Sequence, residues 1–183
     1  MYKPDWPHRH KPLDLAVHDL PHESSLIEWW YFHTHLTAAD GTPFCVFVAL
    51  FSLRVNGETL SHVHASLLVD GKSHVYYTAG EPHAAESVLS NRHPKQDEYF
   101  ERALMETFRK KNVPLPDVVA PKRYTIPTDR MDFDCDRMRM SKDKSGVYHV
   151  VVDADPKAPG ASGFGFELAF TARKPAVRNG IGK

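Results

Sequence analysis

Apolar and polar positions change rhythm several times along the chain, and the changes mark its elements. Ile27 to Leu36 is an aromatic-rich run that stops at Ala39-Asp40-Gly41-Thr42, and Phe44 to Leu53 follows as FCVFVALFSL. Two such runs around an Asp-Gly pair predict a hairpin whose second strand is either buried on both faces or lines a closed barrel. Asn56-Gly57 marks the next turn, Leu60 to Val69 alternates as far as Asp70-Gly71, and Ser73 to Thr78 makes a shorter strand. Four strands in meander order are therefore expected. The spacing of the turns at 40, 56 and 70 favours long antiparallel strands of the barrel or sandwich type over βαβ units.

The rhythm then turns helical. Phe100, Leu104 and Phe108 recur every four residues beside Tyr99, Ala103 and Met105, and Pro94 suits a first helical turn. Glu98 with Arg102 and Glu106 with Lys110 are i,i+4 pairs in the favourable order, so one α-helix is predicted over residues 94–111. A proline-rich connection from Val113 to Pro127 leads to three further strands, Arg130 to Met140, Gly146 to Ala154 and Gly163 to Thr171. Residues 1–24 carry four prolines and four histidines and read as an extended arm. Residues 174–183 read as a flexible tail, which leaves 25–173 as one all-β domain.

Composition narrows the class of partner. The 183 residues contain 23 Lys and Arg against 23 Asp and Glu, which argues against a polyanion such as nucleic acid. No apolar run reaches the length of a spanning helix, so no membrane span is expected. The opening MYKPDWPHRHKP lacks the continuous apolar stretch of a secretory leader, and a cytoplasmic location is expected. Cys45 and Cys135 are too far apart for a C-x-x-C site and read as buried thiols.

Candidate chemistry gathers in the first strand. Alternation puts Trp29, Tyr31, His33 and His35 on one face and Glu28, Trp30, Phe32 and Thr34 on the other. Aromatic pairs beside a carboxylate can wall a pocket for an apolar, conjugated ligand, and the same rings can equally fill the core of a small barrel. His62 and His64 repeat the spacing, with Val63, Ala65, Leu67 and Val69 as the apolar face opposite. Three readings stay open for the histidine pairs: exposure to water, a polar pocket wall, or convergence in one lumen as a proton relay or transition-metal site. Neither pair has a Glu or Cys at a familiar ligand spacing, so no metal and no cofactor are assigned. Asp132, Asp134 and Asp136 resemble a calcium loop only until Arg137 replaces the needed glycine, and they read as the outward row of a half-buried strand. No GxGxxG, P-loop, Gly-x-Ser-x-Gly or Ser-x-x-Lys pattern occurs.

The segment EWWYFHTHL, followed by Asp40-Gly41 and the FCVFVALF strand, resembles the opening of the AttH and hydroxyneurosporene synthase family, the carotenoid 1,2-hydratase-like proteins. Glu28, Trp29, Trp30, Tyr31 and Leu36 match its early strand, and Thr34 stands where the family has glycine. Gly146-Val147-Tyr148 and Lys174-Pro175 fit the later order. The resemblance covers residues 20–178 and implies a lipocalin-like antiparallel β-barrel, the first half of a two-barrel protein. It further implies an extended isoprenoid or polyketide-type ligand and chemistry of hydration or cyclisation, with the motif implicated in hydration belonging to the second half. The family's catalytic roles do not carry over to this chain; if the domain is catalytic alone, Glu28 or His35 would serve as acid or base, while Trp29, Trp30, Tyr31, His33, His62 and His64 would contact substrate. A pure binding module and a histidine-rich metal-dependent barrel are the rival readings. A single barrel that normally docks on a second must cover the surface left over, so a homodimer, or a separate second barrel domain, is expected.

Overall fold

A computed structural model describes residues 5, 11–55, 58–81, 118–120, 123–154 and 163–177. The predicted helix over 94–111 and the Asn56-Gly57 turn lie outside them. The described residues are all-β. A first sheet takes the order β1 (Ile27–Thr37), β2 (Pro43–Val55), β3 (Glu58–Val69), β4 (Ser73–Gly80) and β5 (Val118–Val119). A second takes the order β6 (Asp132–Cys135), β7 (Met138–Lys142), β8 (Tyr148–Ala154) and β9 (Phe164–Phe170). All pairs are antiparallel except β4 with β5. No helix among the described residues is long and apolar enough to cross a membrane.

The turns fix the register. Gly41 adopts φ +89 in the loop between β1 and β2, where the Gly41 N–H donates to the Ala38 carbonyl and the Asp40 carboxylate accepts the Thr42 N–H. That loop sets His35 opposite Cys45 and Trp29 opposite Phe51. Asp70 and Gly71 both take positive φ, the combination a type I′ turn needs, and the Lys72 N–H closes the turn on the Val69 carbonyl.

One expected strand is two. Arg130 to Met140 folds as the hairpin β6–β7, because Asp136 takes φ +64 between the paired Cys135 and Met138. Aspartate is among the few non-glycine residues that visit this region readily. The alternation still holds on β6, with Met131, Phe133 and Cys135 buried while Asp132 and Asp134 are half-buried and Asp136 is exposed.

The two sheets share one core. Val48, Leu50, Val63, Ala65, Tyr77 and Ala79 of the first sheet pack with Phe133, Met138, Met140, Val150 and Val152 of the second. Phe133, at 0% exposure, meets Trp30 at 4.8 Å between ring centroids, and Phe32 stacks on Phe170 at 4.7 Å. Buried Glu81 stitches the layers by accepting the Ser61 N–H at 2.8 Å and the Tyr124 N–H at 2.7 Å.

Residues 11–24 lie on this core, with Leu20 packed against it and a turn closed by the Val17 and His18 N–H groups on the Asp14 carbonyl. Asp19 accepts from Lys142 Nζ at 2.7 Å and from the Tyr148 hydroxyl at 2.6 Å, and its own carbonyl accepts the Trp30 indole N–H at 2.9 Å. Burial alone would push the Lys142 ammonium down, and its bonds to Asp19 and Tyr148 outweigh that and raise it.

Candidate functional site

The first strand carries its residues in two rows, and the structure separates them. Glu28, Trp30, Phe32 and Thr34 are half-buried, whereas Trp29, Tyr31, His33 and His35 are exposed. Glu28 and His35, the alternative candidates for acid or base, fall on opposite faces of the strand, Glu28 inward and His35 outward. Glu28 is also engaged. Its carboxylate accepts the His22 N–H at 3.0 Å, contacts His22 Nδ1 at 2.7 Å and faces Arg54 at 4.0 Å, with 11% of the side chain exposed. Arg54 in turn donates to the His22 and Ser25 carbonyls. Glu28 thus fastens the segment before β1 to the end of β2. Trp30 is likewise a core residue with a satisfied indole.

The outward row continues across the sheet. Register places Phe51 beside Trp29, Ala49 beside Tyr31, Phe47 beside His33 and Cys45 beside His35. On β3, His62 lies opposite Phe51, His64 opposite Ala49 and Ser66 opposite Phe47, and Tyr76 on β4 lies opposite Ser66. The rings form a chain: Tyr31 and His33 each sit 6.2 Å from Phe47, Phe47 sits 5.7 Å from His64, and His64 stacks on Tyr76 at 6.5 Å. His62 lies 6.1 Å from Phe51. Trp29, Tyr31, Phe51 and Tyr76 retain 56%, 54%, 39% and 52% exposure. The solvent side of an antiparallel sheet is ordinarily polar, so an aromatic field there needs an explanation.

Both histidine pairs therefore share this outer face, and among the described residues no lumen encloses them. Phe47 of the interposed β2 stands between the two pairs, its ring 6.2 Å from His33 and 5.7 Å from His64. His62 is shifted toward its neutral form, mainly by burial and secondarily by the charge of neighbouring His64.

Sequence spacing missed a partner that pairing supplies. Cys45 is half-buried at the edge of the outer field, and its sulfur lies 3.3 Å from His33 Nε2. One ligand atom from each of His33, His35 and Cys45 falls within 4.8 Å of the others. The signal was the Asp40-Gly41 loop, whose length decides which residue of β2 faces His35. The other thiol, Cys135, is buried, and burial first and Asp134 next push it far above the ordinary thiol range.

Comparison of the chain with family models, with curated proteins and with solved structures finds no match.

Proposed function

We propose that the protein is a binding module for an extended apolar ligand of the isoprenoid or polyketide type, held across the aromatic outer face of the first sheet. The observation that carries this reading is the cluster of exposed rings from Trp29, Tyr31, Phe51 and Tyr76 on one side of β1–β4. Rigid rings offer contact area at little entropic cost, and half-buried histidines supply polar contacts at its margin. The resemblance of EWWYFHTHL to the hydratase-like family favours the same ligand class. Binding without catalysis is the preferred form, because the Glu28 carboxylate is already bonded within the fold.

A second copy of the chain could use the same surface, since contiguous exposed rings also suit a two-fold contact. Titration of tag-free protein with geranylgeraniol, read by tryptophan emission, tests the ligand reading. Saturable binding is expected, weakened by about tenfold or more in a Trp29→Ala/Phe51→Ala variant, since each lost aromatic contact removes roughly 0.5–1.5 kcal/mol beyond area burial. Failure to saturate, or equal affinity in the variant, overturns it. Sedimentation equilibrium on both proteins separates the second reading: a dimer that the same variant dissociates, with no geranylgeraniol bound, makes the face a subunit contact.

A further inference from the structure

We propose that His33, His35 and Cys45 form a binding site for a borderline-soft divalent transition metal, with Zn²⁺ as the fitting ion. The proposal goes beyond ligand binding and does not depend on it. Three observations meet at this corner of the outer face. One ligand atom from each residue lies within 4.8 Å of the other two. His33 Nε2 lies 3.3 Å from the Cys45 sulfur. The backbone enforces the grouping, since His33 and His35 alternate onto one face with ring centroids 5.1 Å apart and Cys45 is the direct cross-strand partner of His35.

With Zn–N near 2.0–2.1 Å and Zn–S near 2.3 Å, tetrahedral coordination sets donor atoms about 3.3–3.6 Å apart. The His33–Cys45 separation of 3.3 Å is within about 0.3 Å of the roughly 3.5–3.6 Å expected for a nitrogen–sulfur pair. The remaining donors need to close by little more than about 1 Å, within reach of rotation of an exposed imidazole ring. Phe47 stands edge-on to His33 at 6.2 Å and limits where that ring can turn.

The donor set selects the ion. Two imidazoles and a thiolate suit Zn²⁺, Co²⁺ or copper, and they are poor ligands for Mg²⁺ or Ca²⁺, which take oxygen. On coordination the Cys45 S–H bond breaks, its proton leaves to solvent, and sulfur donates to the metal as thiolate. Each imidazole donates the lone pair of one ring nitrogen, so the metal's oxidation state is unchanged. Three protein ligands on an open face leave a fourth position for water, the arrangement of sites that exchange a ligand. Exposure of both histidines gives the ion a path in.

Co²⁺ titration of tag-free, full-length protein tests the site, followed by displacement with Zn²⁺. One ion per chain should bind with a thiolate-to-cobalt charge-transfer band and the intense visible bands of tetrahedral Co²⁺. Cys45→Ser should abolish the charge-transfer band. His33→Ala and His35→Ala should each weaken Zn²⁺ binding by about 100-fold, at or beyond the upper end of what outer-shell changes cost. His149→Ala, a surface change on β8, should leave binding unaltered. Circular dichroism of each variant checks that it folds. Absence of a charge-transfer band in the wild type, undiminished affinity in Cys45→Ser, or no Zn²⁺ bound at micromolar concentration overturns the proposal.

Discussion

The two faces of β1 draw on the same kinds of residue and put them to opposite uses. Inward, Glu28, Trp30 and Phe32 each have a named partner: the His22 amide and ring, the Asp19 carbonyl with the Phe133 ring, and the Phe170 ring. Outward, Trp29 and Tyr31 leave more than half of their surface in water, with Phe51 as the cross-strand partner of Trp29 and the Phe47 ring 6.2 Å from Tyr31. Hydrophobicity therefore does not tell a core residue from an outward-facing one here. What separates them is a single step of the pleat, which decides whether a ring faces the second sheet or solvent.

The sharpest way to break this comparison is to truncate the inward rings. Phe133→Ala should destabilise the protein by about 3–5 kcal/mol, because a fully buried ring leaves a cavity that close-packed neighbours fill only in part. In a domain of this size that is a fall in Tm of roughly 6–20 °C, read by thermal circular dichroism. Trp30→Ala should cost nearly as much. A Trp30 variant as stable as wild type would mean that the inward row is not core.

Glu28 tests whether an inward carboxylate is a strut or a reagent. Glu28→Ala removes the acceptor of the His22 amide and leaves the Arg54 guanidinium without its carboxylate, at a cost of about 1–3 kcal/mol. Glu28→Gln keeps an acceptor and should cost less than half of that. Hydrogen exchange at the His22 amide should quicken in the alanine variant alone, and geranylgeraniol affinity should not change in either. A loss of ligand affinity in Glu28→Gln with stability intact would return this residue to the binding site.

Much of this division can be read before any coordinates. The alternation in EWWYFHTHL assigns each residue to its row, and Asp40-Gly41 and Asp70-Gly71 mark turns that the backbone uses, because glycine there admits positive φ at no steric cost. What stays hidden is which row faces in, since both carry large rings and only the second sheet decides. The β6–β7 turn is hidden for a different reason: it runs through Asp136 and Arg137 without a glycine, inside a pattern that alternates as a single strand does. Non-local ties leave no local mark at all. Nothing around Glu81 shows that it will meet Tyr124, and nothing around Asp19 points to Lys142 and Tyr148. Cys45 belongs with the histidines only through cross-strand register.

The outer face has its own electrostatic signature at His62. Its folded-state pKa lies below the ordinary value of 6.5, through burial first and His64 second. The folded protein therefore binds fewer protons than the unfolded chain just below that pH. Its contribution is fully present above about 6.5 and is lost as pH falls through that value toward the folded pKa. Urea unfolding at pH 7.5 and 5.5 should show a smaller fall for His62→Gln than for wild type. An identical fall in both would mean that His62 titrates as a solvated side chain.

The smallest stability effect belongs to Trp29, and it separates the two faces most cleanly. Trp29→Ala removes a ring that is mostly in water already, so the hydrophobic loss is small, and the cross-strand pairing with Phe51 contributes at most about 0.2–1 kcal/mol. The expected cost is about 0.5 kcal/mol, as for surface changes generally, with the urea m-value unchanged because no new surface is exposed. The adjacent Trp30→Ala should cost several times more, although the two residues are consecutive and chemically identical. If Trp29→Ala instead costs as much as Trp30→Ala, the outer face is covered in solution. The same experiment at two protein concentrations then identifies the cover: a midpoint that rises with concentration in wild type, and no longer in the variant, is the mark of a second copy seated on Trp29.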